Sequence, residues 1–224
     1  MRLASTARTS VRAAARAAAL AAAMASVLAA PVAAQVAPDS PRLVSPFGSG
    51  GLGIHFVRAE TLPQDDGVLV ATAALPFLPD GMRLRGGAGR GAGGNTAILA
   101  GVDVQRPLVR GGRASPFDLD WQSGAGVSIG DYTLITVPLG ISAGLSMQSG
   151  VVWLAPYLTA GLAADLRLGD LAPEKEFEVS PALDVGLDLS FDLERRIVLR
   201  TAAALGDRQA LSVGVGLALG RLRR

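Results

Sequence analysis

The chain has 224 residues, half of them apolar, 18% charged and 4% aromatic, which suits one folded domain and is too apolar for a disordered chain. It has no cysteine and one histidine, His55, which excludes disulfides, thiol catalysis, cysteine-based zinc sites, covalent haem, a lipoprotein anchor and a multi-histidine metal centre. The net charge of +2 is unevenly placed: Arg2, Arg8, Arg12 and Arg16 precede residue 35 with no acid among them, and taking those four from the 21 basic residues leaves two fewer than the 19 acidic ones. No basic cluster remains beyond them, so nucleic-acid binding has no support.

Residues 1–34 read as a helical signal peptide. Met1 to Arg16 is basic, Ala17 to Ala30 carries no charge, and Val32-Ala33-Ala34 offers small residues for cleavage between Ala34 and Gln35. The competing reading is a transmembrane helix. The uncharged stretch 17–34 has 18 residues, mostly alanine and interrupted by Pro31, which is marginal for a hydrocarbon core of about 30 Å. Residues 35–50 are rich in Pro, Ser and Gly and read as a flexible lead.

From residue 51 the pattern has period two. Segments 52–60, 67–77 and 82–90 alternate weakly, and 96–104 and 117–129 more clearly. In 133–148, Ile135, Val137, Leu139, Ile141 and Leu145 alternate with Thr136, Pro138, Gly140, Ser142 and Ser146. In 152–168 the apolar residues take the even positions. In 177–193, Phe177, Val179, Leu183, Val185, Leu187, Leu189, Phe191 and Leu193 fall on odd positions and Glu178, Ser180, Asp184, Asp188 and Asp192 on even ones. Successive side chains of a strand point to opposite faces, so each segment has one apolar and one polar face. A further strand carries Arg196 and Arg200, and 211–219 closes the series. Turn chemistry separates the segments, as at Pro79-Asp80-Gly81, Gly130-Asp131, Ser149-Gly150, Gly169-Asp170 and Gly206-Asp207. The expected fold is all-β, an up-and-down antiparallel barrel over 51–222 with ten strands, eight being the alternative count. The connections are short, the longest about Gly169 to Lys175, with no large adhesive loop or plug domain.

Such a pattern serves a transmembrane barrel, apolar outside, or a soluble one, apolar inside. Three features favour the membrane. The polar faces are mostly Gly, Ser, Ala and Thr, with Lys175 the one lysine, whereas a soluble surface is roughly 25–35% charged. The apolar segments are long enough to cross a bilayer when tilted, for which about 9–11 residues suffice. The apolar face of 177–193 carries no charge. Phe77, Phe117, Tyr132, Trp153, Phe177 and Phe191 lie near segment ends, where aromatic girdles sit, while Trp121 lies within its segment.

The final strand reads Ser212-Val213-Gly214-Val215-Gly216-Leu217-Ala218-Leu219. With Ser212, Gly214, Leu217 and Leu219 at the key positions, it resembles the C-terminal assembly signal of small bacterial outer-membrane β-barrel proteins. The resemblance implies location in the outer membrane, lipid around the barrel, insertion by the outer-membrane assembly machinery and possible small-solute passage. It implies no cofactor and names no member. Some barrels of this kind are enzymes that act on lipid or peptide through histidine with serine or aspartate. Here His55, between Ile54 and Phe56, has no nucleophile or orienting carboxylate marked beside it, and a packed or lumen-facing histidine explains it better. Asp65-Asp66 and Asp118/Asp120 suit a hard cation or ordinary acidic turns. The glycine-rich stretch 85–94 lacks the Lys-Ser/Thr ending of a phosphate loop.

Given a barrel, parity assigns Arg83, Arg85, Asp103, Asp118, Asp120, Asp165, Arg167, Asp184, Asp188, Asp192, Arg196 and Arg200 to the lumen. If a three-residue turn Leu193-Glu194-Arg195 joins the strands, Asp192 faces Arg196 and Asp188 faces Arg200. Such a lining either selects ions or fills a narrow lumen with salt bridges; a barrel of about eight strands has room for little beyond its own side chains. The expected function is a structural or narrow passive-conduit role in the outer membrane, without chemistry and with no metal. The alternatives are a barrel enzyme acting on lipid or peptide, and a secreted lipocalin-like barrel holding an apolar ligand.

Overall fold

The computed structural model describes residues 37–38, 41, 45–46, 51–59, 67–90, 96–111, 117–169, 172, 174–206 and 208–219. The expected signal segment and its Ala34/Gln35 junction lie outside them, as do Asp65-Asp66. The described secondary structure is β throughout: β1 (Gly51–Ala59), β2 (Val68–Ala73), β3 (Met82–Arg90), β4 (Thr96–Val109), β5 (Phe117–Ile129), β6 (Thr133–Leu145), β7 (Met147–Ser149), β8 (Val152–Leu168), β9 (Phe177–Ser190), β10 (Ile197–Leu205) and β11 (Ala210–Ala218).

All neighbours are antiparallel. β1 pairs with β11 from Gly51↔Ala218 to Ala59↔Ala210, and β6 pairs with β8, so the sheet closes on itself. The three-residue β7 continues β6 past Ser146 and pairs only with β8, which leaves ten staves. Closure gives every stave a partner on both sides and removes the exposed edges that an open sheet would present. Turns are set locally: Gly81, Gly150, Gly169 and Gly206 sit at positive φ, where a side chain is strained. Strand ends differ modestly from the periodicity. β4 runs on to Val109 through an irregularity at Pro107, and β2 stops at Ala73.

The faces are sorted throughout. On β1, Leu52, Ile54 and Phe56 point outward and are about half exposed, while Gly53, His55 and Val57 point inward and are buried. On β6, Val137, Leu139 and Ile141 are exposed, and Leu134, Thr136, Pro138 and Ser142 are buried. A soluble barrel has the opposite arrangement. Among the aromatics, Phe77, Phe117, Phe177 and Phe191 are exposed at strand ends. Trp153 departs from the expected girdle: it points into the barrel, 2% exposed, and donates from Nε1 to Ser146 Oγ at 2.7 Å. Its odd number on β8 puts it on the same face as Ala155, Tyr157 and Thr159. Tyr157 lies over its register partner Gly186, where a Cβ would come within 2.1 Å of the ring. The glycine makes room for the inward Tyr157 ring.

Candidate functional site

The barrel has two ends. The terminal end holds the start of β1, the end of β11 and the β2–β3, β4–β5, β6–β8 and β9–β10 connections. The far end holds the other five. Strand tilt and alternation bring the inward residues into layers between them.

The middle layer on the β1, β3, β9 and β10 side is charged. Register sets Arg200 opposite Asp188, and the guanidinium grips the carboxylate with two bonds, Nε to Oδ1 at 2.6 Å and Nη2 to Oδ2 at 2.7 Å. Register also sets Arg83 opposite Asp103, yet Asp103 takes its 2.9 Å ion pair from Arg85 Nη1. Both pairs are buried, so each charge depends on its partner for compensation. His55 is 1% exposed beside Thr72, with Nε2 and Oγ1 3.5 Å apart. Asp184 is buried on the same face of β9, two pleat repeats from Asp188. Among the described residues, Arg85 Nε and Nη2, Tyr157 OH and Ser212 Oγ have no hydrogen-bond partner. A cavity of about 170 Å³ opens over this layer towards the terminal end, among His55, Arg83, Trp153, Asp188, Arg195 and Arg200.

The far end divides in two. On one side Val57, Val68, Val70, Ala97, Leu99, Ala204 and Ala210 form an apolar cluster inside the barrel. On the other, Asp165 accepts from Thr136 Oγ1 at 2.6 Å and is paired with Arg208, while Arg167 Nη2 meets Glu178 Oε2 at 2.7 Å. Arg208, from the β10–β11 turn, and Glu178 were not in the predicted lining. Glu178 shares the parity of Asp184 and Asp188; Arg208 sits in a turn, where strand parity assigns no face.

At the terminal end the expected pair Asp192–Arg196 does not form. β9 stops at Ser190, and Asp192 lies in the turn. Its Oδ1 accepts from the Glu194 amide at 2.7 Å, and its Oδ2 from the amides of Arg196 at 2.8 Å and Ile197 at 3.2 Å. Desolvation pushes the Asp192 carboxyl up, and the amides of Ile197, Arg196, Glu194 and Arg195 outweigh it and hold it below the usual carboxylate value. Arg196 is exposed and pairs with Glu194 instead of lining the lumen. Arg195 takes a left-handed conformation (φ 52°), with its guanidinium 4.5 Å from the Trp153 ring centre. A short aspartate bonds local amides more readily than it spans a strand pair, so a turn claims it.

The remaining wall, β4 to β6, is polar and of mixed charge. Asp118 sits near the rim, where its Oδ1 accepts the Gly111 amide at 3.0 Å. Asp120 is fully buried and accepts from Gln105 Nε2, with Arg110 Nη1 3.4 Å away. Thr159 donates to Ser142 at 3.0 Å across β8 and β6. The described lead residues belong to this wall. Gln105 Nε2 also donates to the Ser45 carbonyl at 2.9 Å, and Arg110 Nη1 to that of Pro46 at 3.2 Å. Pro38 lies against Gly126. Pro38, Pro41, Ser45 and Pro46 are all buried; apart from these and Ala37, the lead expected over 35–50 lies outside the described residues. Gln105 shares the parity of Asp103 but lies one residue past the expected segment 96–104; Arg110 lies beyond the irregularity at Pro107, where parity assigns no face.

Of the assembly-signal residues, Ser212 and Gly214 line the inside of β11, and Leu217 and Leu219 face out, 49% and 42% exposed. Among the described residues, no three His, Cys, Asp or Glu side chains converge to hold a metal.

No family model matches the chain, and no curated protein matches it. Solved structures with a similar fold include the beta domain of the Bordetella autotransporter BrkA, at TM-score 0.48 and 13% identity over 77% of this chain and 100% of that one. The KdgM porin in complex with disordered oligogalacturonate aligns at TM-score 0.34 and 8% identity, covering 75% and 99%. A second KdgM porin structure gives 0.31 and 9%, covering 75% and 99%.

Proposed function

We propose that the protein is a non-enzymatic barrel of a bacterial outer membrane, exported by its first 34 residues, with a structural or narrow-conduit role. The sorting of the two faces carries this reading. The outward residues of ten staves form an apolar band that water would not tolerate at this extent, whereas lipid solvates it. The inward residues include Arg85, Asp103, Asp188 and Arg200, buried in pairs. Lipid and the assembly machinery that reads Ser212, Gly214, Leu217 and Leu219 are its partners in this reading. The pairs restrict any passage to small solutes or ions, and the cavity among Arg83, Asp188 and Arg200 would be its entry from the terminal end.

Planar-bilayer recording tests the conduit. A conduit gives small unitary currents whose ion selectivity shifts when Asp188 or Arg200 is neutralised. A barrel that inserts and stays silent in every variant has a structural role alone.

A further inference from the structure

The arginines around the terminal-end cavity outnumber the acids that answer them. Asp188 gives both carboxylate oxygens to Arg200, and Glu194 is taken by the exposed Arg196. Arg83 and Arg195 line the cavity beyond those two pairs. Arg85 and Asp103 form a third, buried pair in the same layer. Even with Asp184 included, two pleat repeats further along β9, Arg83, Arg85, Arg195 and Arg200 meet Asp103, Asp184 and Asp188, four cations to three carboxylates. Such an excess at the mouth of a low-dielectric wall attracts an anion.

Arg195 brings that excess to the cavity. Among the described residues it meets no carboxylate; its guanidinium lies 4.5 Å from the Trp153 ring centre, a contact that uses its charge and none of its N–H donors. The turn is built to hold it there. Arg195 is the one non-glycine residue at positive φ among the described residues, where Gly81, Gly150, Gly169 and Gly206 serve the other turns. Glycine takes that conformation freely and arginine does not. Asp192 holds the turn around it: its carboxylate accepts the amides of Glu194 and Arg196 on either side, and its carbonyl accepts that of Arg195 at 3.1 Å. A strained residue so firmly fixed, where glycine would serve the turn, points to work done by the side chain.

His55 adds a second observation. It lines the cavity at 1% exposure, and its Nδ1 has no hydrogen-bond partner among the described residues. That nitrogen lies where a Cβ of Gly214 would sit, and Gly214 is the register partner of Arg200. A buried ring nitrogen therefore stands beside the arginines with its bonding capacity unspent, which a ligand would answer. The volume of about 170 Å³ holds roughly five waters at about 30 Å³ each, or one small oxyanion with part of its hydration. It is too small to take in a nucleotide or a sugar chain whole. The paired oxygens of phosphate or carboxylate match the guanidinium fork.

We propose that this cavity is a binding site for one small oxyanion, phosphate or carboxylate, gripped by Arg195 and Arg83 with His55 Nδ1 as a further contact. The site stands without the conduit reading; its place on a solute path rests on that reading.

Trp153 reports the site, and Trp121→Phe removes the other tryptophan. Sodium phosphate or sodium acetate, exchanged for sodium chloride at constant ionic strength, should change the Trp153 emission saturably in Trp121→Phe protein folded in detergent. Arg195→Gly, which a positive-φ turn accepts, should weaken phosphate binding at least about tenfold, the loss expected for a hydrogen bond to a charged group. Arg195→Lys should restore part of it, and Arg106→Gln, which removes an exposed arginine of β4, should leave it unchanged. Calorimetry of phosphate binding, which does not depend on Trp153, should give the same order, with unboiled gel mobility reporting each variant as folded. Emission that is the same in every anion at equal ionic strength, or equal phosphate affinity in the parent and Arg195→Gly, would overturn the site. Planar-bilayer current separates the site from the path: phosphate that lowers the chloride current of the parent and not that of Arg195→Gly places the site on the conduit, and phosphate that binds without changing the current keeps the site and removes it from the path.

Discussion

The two sides of the lumen are filled by different means. Around β1, β3, β9 and β10 the wall fills itself: Arg200 meets Asp188 in register, and Arg85 reaches Asp103 of β4 diagonally, past that residue's register partner Arg83. Between β4 and β6 the wall is polar and also touches residues ahead of the strands: Gln105 donates to the Ser45 carbonyl and Arg110 to that of Pro46. The first side is fixed by register and cannot change without breaking strand pairing or leaving a charge alone. The second is held by side-chain hydrogen bonds from Gln105 and Arg110 and one close contact at Gly126, none of them set by strand register.

The contrast can be broken most sharply on the side fixed by register. Arg200→Met leaves Asp188 buried and unpaired, and should cost about 3–5 kcal/mol in urea unfolding from lipid vesicles. Adding Asp188→Leu should return much of it, and a double-mutant cycle showing no coupling would separate the two groups. Next in size is the outer face. Leu162→Arg, mid-strand on β8 and outward, should cost about 2–4 kcal/mol in the same assay if lipid covers it. No loss there would mean that water covers it. Arg196→Ala removes only an exposed pair with Glu194 and should change stability by less than about 1 kcal/mol.

The smallest effect concerns pH. The Asp192 carboxyl is held below its usual value by turn amides, so it stabilises the folded state fully above the ordinary carboxylate pKa of about 4. That contribution is lost as pH falls through the depressed folded-state value. The melting temperature of Asp192→Asn should therefore lie below that of the parent at neutral pH, and the two should converge in acid. A difference constant with pH would mean that the amides do not depend on the charge.

Asp188 and Asp192 show how much of this was legible in sequence. Both have the same parity on one alternating segment and both have an arginine at the matching offset beyond the turn. Period two and opposite charge suffice for Asp188 and Arg200, because the ladder there is regular. They fail for Asp192 and Arg196, because a turn offers an aspartate backbone amides close by and the strand ends before it. The ten-stave barrel follows from alternation in the same way; that its apolar face points outward does not, and was legible only in the scarcity of charge, the length of the segments and the uncharged apolar face of 177–193. Arg208 on Asp165 and the lead on Gln105 and Arg110 do not follow from alternation. They join residues 43, 60 and 64 positions apart with no shared ladder, and local pattern carries nothing about such contacts. The prolines at 38, 41 and 46 read equally well as a linker or as buried residues.

The central claim is that the apolar face meets lipid. Gel mobility with and without boiling, on protein folded with detergent and without it, tests this directly. The account predicts a shifted unboiled band that appears only with detergent or lipid, and recovery of the expressed chain in the membrane fraction. A folded protein that stays soluble in buffer and shows no such shift would contradict it.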